Sequence, residues 1–195
     1  MSIRSHYQTH IDVITESIPS GFNPSIDEFV DLLLNCKGKI FFTGVGKNGH
    51  VAAKATSTFS SIGVSCFFID PVDSVHGDMG VINEEDILIA VSKSGNTEEL
   101  IHFLKHVKHK NCKIISIHSN PGNKSLKYSS LDINLNVRKE ADHLNIVPTC
   151  SIAVFTVFLQ SVACEISQRK ELTLEQFVKN HPGGSIGKVL DKEIL

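Results

Sequence analysis

Val91-Ser-Lys-Ser-Gly-Asn-Thr-Glu-Glu-Leu100 joins an apolar run, Asp86-Ile-Leu-Ile-Ala-Val91, to a stretch in which Leu100, Ile101, Leu104 and Val107 recur at helical spacing. The run reads as a buried strand and the stretch as an amphipathic helix, so the residues between them form a strand-to-helix turn. Into that turn the chain packs Ser92, Ser94 and Thr97 around Gly95. Hydroxyls and free backbone N–H groups then gather at a helix N-terminus, where the helix dipole favours negative charge. The turn reads as an anion cradle suited to a phosphate. Its hydroxyls also fit a plainer role as turn formers and caps. Asn96 as N-cap and Glu99 three residues on have the spacing of a capping box, a role compatible with a second one for Glu99.

The same alternation repeats on both sides. Strand-like runs at 39–43, 65–69, 86–91, 113–117 and 131–135 alternate with helical patterns at 48–62 and 97–109. Two helices come first, 3–18 and 26–36, with Ser25 placed as an N-cap after the breaker Pro19-Ser-Gly-Phe-Asn-Pro24. Ile152, Phe155, Leu159, Val162 and Ile166 mark a long helix over 148–167, followed by a short one over 173–180. This pattern predicts an α/β fold: a three-layer α/β/α sandwich around a doubly wound, five-stranded, mainly parallel sheet. No repeat or long linker divides the chain, so one domain is expected over 1–195, with a helical segment at 1–37, the sheet core at 38–136 and C-terminal helices at 147–190. In such sheets ligands bind outside the carboxyl ends of the strands, where the strand order reverses.

The 195 residues are 41% apolar with a formal charge of -2, enough for a sizeable core and without an electrostatic basis for binding nucleic acid. No apolar stretch approaches the ~20 residues of a membrane helix, and the N-terminus lacks the apolar core of a signal peptide. A cytoplasmic protein without a membrane partner is expected. Cys36, Cys66, Cys112, Cys150 and Cys164 are odd in number and lack C-x-x-C spacing, and read as reduced core thiols.

A second glycine-rich turn, Gly44-Val-Gly-Lys-Asn-Gly49, follows the strand at 39–43, and Asp70 ends the next strand. Those are the parts of a dinucleotide-binding fingerprint. Against that reading, Lys47 puts a charge where such folds use backbone N–H groups, and the hydroxyl-rich turn has no role in it. A Walker A loop is excluded because no Ser or Thr follows a Gly-Lys pair at the required position. Glycines that merely permit tight strand-to-helix packing would leave Lys47 unexplained.

His76, in Val75-His-Gly-Asp-Met-Gly80, and His181, in Asn180-His-Pro-Gly-Gly-Ser185, sit in glycine-rich loops where a side chain can approach a ligand. Solvated loop histidines are the plainer reading, and Glu140 reads by the same standard as surface charge. His102, His106 and His109 share a helix, but without an H-E-x-x-H pattern and beside Lys105, Lys108 and Lys110 they mark a solvated face; no metal site is expected.

Taken together, Gly44-Val-Gly-Lys-Asn-Gly-His50, Phe67-Phe-Ile-Asp-Pro71, His76-Gly-Asp-Met-Gly80, Ser92-Lys-Ser-Gly-Asn-Thr-Glu-Glu99, Val147-Pro-Thr-Cys-Ser151 and His181-Pro-Gly-Gly-Ser-Ile-Gly187 resemble the D-arabinose 5-phosphate isomerase family of the sugar isomerase (SIS) domain superfamily. The resemblance covers about 39–190. It implies an SIS fold and an isomerase that interconverts D-ribulose 5-phosphate and D-arabinose 5-phosphate through an enediolate, without a cofactor, to supply the eight-carbon sugar acid Kdo. It carries Lys47, Glu99, Glu140 and His181 over as catalytic positions, with Glu140 preferred as base because Glu99 is taken up in capping. Gly46, His76, Ser92, Ser94, Asn96 and Thr97 become substrate-binding. It also implies a homotetramer with sites shared between subunits. Family members commonly continue into paired CBS modules after His-Pro-Gly-Gly; this sequence ends at Leu195, so a stand-alone isomerase, or a segment of a longer one, is expected. Isomerases of hexulose or heptulose phosphates, and phosphosugar-sensing SIS domains of transcription regulators, are the alternatives.

Overall fold

The computed structural model describes residues 2–18, 24–184 and Gly187; the expected continuation of the C-terminal helices over 188–190, and Ser185 and Ile186 of the His181–Gly187 motif, lie outside them. β1 (Ile40–Thr43), β2 (Cys66–Phe68), β3 (Ile87–Val91), β4 (Lys113–His118) and β5 (Leu131–Asn134) make one sheet in the order β2-β1-β3-β4-β5. Every neighbouring pair is parallel, so the sheet is wholly rather than mainly so. The order reverses between β1 and β3, whose registers run in step: Phe42 lies opposite Ile89 and Thr43 opposite Ala90. The turns that follow these two strands therefore open side by side at the switch point.

β1 and β3 are buried at every position, as parallel strands covered on both faces must be. Their alternate side chains feed two cores. Phe42, Ile89, Ile115 and Ile133 meet α1 (Ile3–Ser17), α2 (Pro24–Leu34), α3 (Lys47–Ser61) and α5 (Cys150–Arg169). Phe41, Leu88, Ala90 and Ile114 meet α4 (Glu98–Val107), with Val75, Met79 and Tyr128 packed alongside. The second layer is much the thinner. It leaves Phe67 49% exposed on edge strand β2.

Three expectations need correction. α2 begins at Pro24, a residue suited to the first helical turn, so Ser25 lies inside the helix instead of capping it. α5 is long and apolar enough to cross a membrane by length and composition alone, with a mean hydropathy of 1.6 over its most apolar window. Half of that window is buried inside the protein, against α1, α2 and α3. Cys66, Cys112 and Cys150 are core thiols, but Cys36 is half-buried and Cys164 is exposed. Burial pushes the Cys112 thiol up to about 11.

Asp86 clasps the amino ends of the central strands. Its carboxylate is buried and accepts the N–H groups of Lys39 and Asn83, each at 2.7 Å, and its carbonyl accepts from Lys113. Gly38 packs so close that a Cβ there would collide with the carboxylate. Replacing Asp86 by alanine leaves two donors unmatched, and urea denaturation should register a loss of about 2–4 kcal/mol.

Candidate active site

Thr97, not Asn96, is the N-cap of α4, and its side chain makes no capping bond. The capping box between Asn96 and Glu99 is absent because Asn96 Oδ1 accepts instead from the backbone N–H of Lys124 at 2.8 Å. The ground for assigning Glu99 to capping falls away with it. Ser92 is buried; its Oγ accepts from Gly95 N–H at 3.1 Å and lies 3.5 Å from Thr97 Oγ1. Ser94 Oγ is exposed and accepts from Asn96 N–H at 3.2 Å. The turn thus gathers Ser92, Ser94, Asn96 and Thr97 at a helix start that no N-cap side chain satisfies.

Beside it, Gly46 caps α3 with φ 58, and Lys47 is the first helical residue, exposed. A Cβ on Gly44 would meet the Asn48 backbone at 2.8 Å and the Val91 carbonyl at 2.9 Å, while one on Gly49 would meet the Gly44 carbonyl at 2.8 Å. Two of the three glycines therefore serve close packing and the third supplies a left-handed conformation. Asp70 has a local structural role: its Oδ1 accepts from Val72 and Asp73 N–H at 2.7 and 3.1 Å, shaping the turn that carries His76. Thr43 Oγ1 and Asn48 Oδ1, buried at the switch point, have no hydrogen-bond partner among the described residues. Buried polar atoms of that kind call for a ligand or a water.

His76 and Glu99, both exposed, line one cavity of about 480 Å³ with Pro71, Val72, Val75, Glu98 and His102. His102, expected on a solvated face, is the histidine of α4 that shares this cavity. Among the described residues no group of three or more His, Cys, Asp or Glu side chains is placed to hold a metal ion.

Glu140 is buried rather than a surface charge. Its Oε1 accepts from Lys93 Nζ at 2.5 Å and Ser151 Oγ at 2.6 Å, and its Oε2 from the N–H groups of Thr149 and Ser151 at 2.8 and 3.1 Å. The carboxylate caps α5 from the preceding loop and ties that helix to Lys93 in the hydroxyl turn. Burial alone would raise its pKa, but the Lys93 ammonium and the Ser151 and backbone donors hold it down to about 2. Lys93, Thr149 and Ser151 all lie in the family-like motifs, yet nothing in their spacing signals that one carboxylate joins them.

His181 stands apart. It caps the end of α6 (Leu174–Asn180), its Nδ1 lies 2.9 Å from the Phe177 carbonyl, and its ring stacks on Phe177 with centroids 4.0 Å apart. Asn180 Nδ2 donates to the Ser61 carbonyl at 3.2 Å, which sets α6 against the far end of α3. With 15 residues, α3 spans about 20 Å, so Lys47 and His181 of one chain lie at opposite ends of a helix.

Comparison with known proteins agrees with this architecture. The SIS domain family model matches residues 33–165. Arabinose 5-phosphate isomerase KdsD of Pseudomonas aeruginosa is 36% identical over 167 residues, 84% of this chain and 51% of the relative. Arabinose 5-phosphate isomerase KpsF of Escherichia coli is 33% identical over 161 residues, 83% and 51% of the two chains. The chain thus spans about half the length of these curated relatives. Among solved structures, E. coli CFT073 c3406 in complex with arabinose 5-phosphate superposes with a TM-score of 0.88 at 31% identity, covering 92% of this chain and 95% of that one. A family match over most of the chain, on a wholly parallel sheet with its hydroxyl-rich turn at the switch point, makes this protein a member of the SIS domain family.

Proposed function

We propose that the chain is an aldose-ketose isomerase interconverting D-ribulose 5-phosphate and D-arabinose 5-phosphate, supplying Kdo synthesis from the cytoplasm and needing no redox cofactor. The observation that carries this reading is the uncapped start of α4, where Ser92, Ser94 and Thr97 follow β3 at the switch point and the turn of Lys47 follows the neighbouring β1. Similarity to KdsD, KpsF and the protein solved with arabinose 5-phosphate supports the choice of sugar. The phosphate binds the hydroxyl turn and fixes the sugar's reach. A base then moves a proton between C1 and C2, and Lys47 offsets the negative charge that develops on the enediolate oxygens.

We assign the base to Glu99 and a holding role to Glu140. A carboxylate held near 2 by four donors is a weak base at neutral pH, whereas Glu99 opens onto the cavity it shares with His76. His76 and His181 remain for ring opening or proton relay. Because one chain separates His181 from Lys47 by the length of α3, we assign His181 to a neighbouring subunit's site, within a homotetramer. Support for the assembly comes from α1, where Ile3 is 88% and Tyr7 69% exposed, and from the adjoining loop, where Ile146 is 67% exposed. His6 Nδ1 meets the Ala141 carbonyl at 2.8 Å and joins the two surfaces. Of the apolar stripe of α5, by contrast, Phe155, Leu159, Val162 and Ile166 are buried inside the chain and Ile152 is partly buried.

Incubated with ribulose 5-phosphate, the purified protein should yield arabinose 5-phosphate; a different aldose, or none, overturns the assignment. Replacing Ser92 and Ser94 by alanine should weaken sugar phosphate and inorganic phosphate together, by ~1–3 kcal/mol for each lost bond to charge, read by calorimetry.

Exchange of the C2 proton of arabinose 5-phosphate with solvent deuterium should vanish in Glu99→Gln and persist in Glu140→Gln. The converse result returns the base to Glu140. Since the Glu140 carboxyl is depressed from its ordinary 4.5 to about 2, its contribution to stability is complete above that range and fades as pH falls between the two values. Acid unfolding should lose that component in Glu140→Gln.

Mixed Lys47→Ala and His181→Ala chains should regain activity that neither has alone, and light scattering should report a tetramer. A fully active monomer contradicts both assembly and shared site.

A further inference from the structure

The loop after β4, Ser119-Asn-Pro-Gly-Asn-Lys-Ser125, grips the hydroxyl turn residue by residue. Ser119 N–H donates to the Lys93 carbonyl at 3.0 Å, Asn120 Nδ2 to the Ser94 carbonyl at 3.1 Å, and Ser125 N–H to the Gly95 carbonyl at 3.1 Å. Lys124 N–H donates to Asn96 Oδ1 at 2.8 Å. Every residue from 93 to 96 is thus held by one donor of the loop. The three carbonyl oxygens, each a partial negative charge, are engaged there instead of facing an anion.

Asn123 organises that grip. It is 6% exposed; its Oδ1 accepts from Ser125 N–H at 2.9 Å and Ser125 Oγ at 2.5 Å, and its Nδ2 donates to the Asn120 carbonyl at 2.6 Å. The Gly95 backbone lies flat on it: at φ 60, a Cβ on Gly95 would collide with Asn123 Cγ and Oδ1. Asn123 acts on the turn's hydroxyls through the loop and through the space that Gly95 leaves open.

We infer that Asn123, together with Asn120, is a positioning residue that sets the shape of the phosphate-binding turn. The inference rests on the reading of residues 92–97 as that site. Its consequence is a separation of effects: loosening Asn123 should weaken phosphate binding while leaving the proton transfer assigned to Glu99 and the charge stabilisation assigned to Lys47 largely intact.

The test uses inorganic phosphate as probe in calorimetry, with KM and kcat for the sugar phosphate and the thermal midpoint measured alongside. Asn123→Ala should raise the phosphate Kd and KM about tenfold, the scale of one misplaced bond to charge, and change kcat by less than about threefold. Gly95→Ala should bind phosphate more weakly still, and adding Asn123→Ala should recover part of that loss by removing the Cγ and Oδ1 contacts while the Asn123 Cβ stays 2.8 Å away, a coupling that independent defects would not show. Unchanged phosphate affinity in Asn123→Ala, with affinity lost in Ser92→Ala, overturns the positioning role and keeps the phosphate site. Unchanged affinity in both overturns the phosphate site as well. A fall in kcat and thermal midpoint without a change in phosphate affinity marks a structural residue and likewise overturns the inference. If Asn123→Ala does not fold, Asn120→Ala, which removes the bond to the Ser94 carbonyl, decides by the same criteria with an expected rise of about threefold.

Discussion

The in-step parallel pairing of β1 with β3 is the constraint on which the rest depends. Opposite Thr43 sits Ala90, so the chain leaves both strands at one level and two helices start side by side. Gly44 lies against the Val91 carbonyl, leaving no room for a side chain between the turns. A slip of one residue would turn every alternate side chain to the wrong face and carry Lys47 away from the hydroxyls. The two buried cores resist such a slip from both sides of the sheet.

Around that constraint the polar residues fall into two groups. Ser94, Lys47, Glu99 and His76 remain exposed, on turns and helix starts. Glu140, Asn123, Asp86 and Asp70 are taken up in bonds to backbone and neighbouring side chains. Buried or turn-forming polar groups of the second kind keep the backbone of the first kind in one shape, because leaving any of their partners unmatched in the interior is costly. The Lys93–Glu140 pair connects the groups, joining the hydroxyl turn to the start of α5.

The unequal layers bear on assembly. Among the described residues four helices cover one face, while α4 and the turns near His76 cover the other and leave Phe67 of β2 half exposed. α1 turns Ile3 and Tyr7 outward on the thick side. These exposed apolar side chains, on both sides of the sandwich, are the surfaces that the proposed assembly would bury.

Continuous apolar runs and stripes of period 3.6 made the strands, most helices and the α/β class readable in the sequence, since burial on both faces of a parallel sheet and on one face of a helix imposes those patterns directly. The hydroxyl turn and Lys47 were readable too, because strand, glycine, hydroxyls and helix lie within a few residues of each other. Local spacing misled at Asn96, whose side chain is drawn off by Lys124 from a loop 28 positions away, and at Glu140, whose partner Lys93 is 47 positions away. Asp70, which has the spacing of the acidic residue in a dinucleotide fingerprint, shapes a turn through its Oδ1. By itself the sequence determined which segments are strands and most of the helices, and where hydroxyls and glycines cluster. Only the tertiary structure decided which polar side chains stay available, because that depends on donors and acceptors brought together from distant segments, and no periodicity records those meetings.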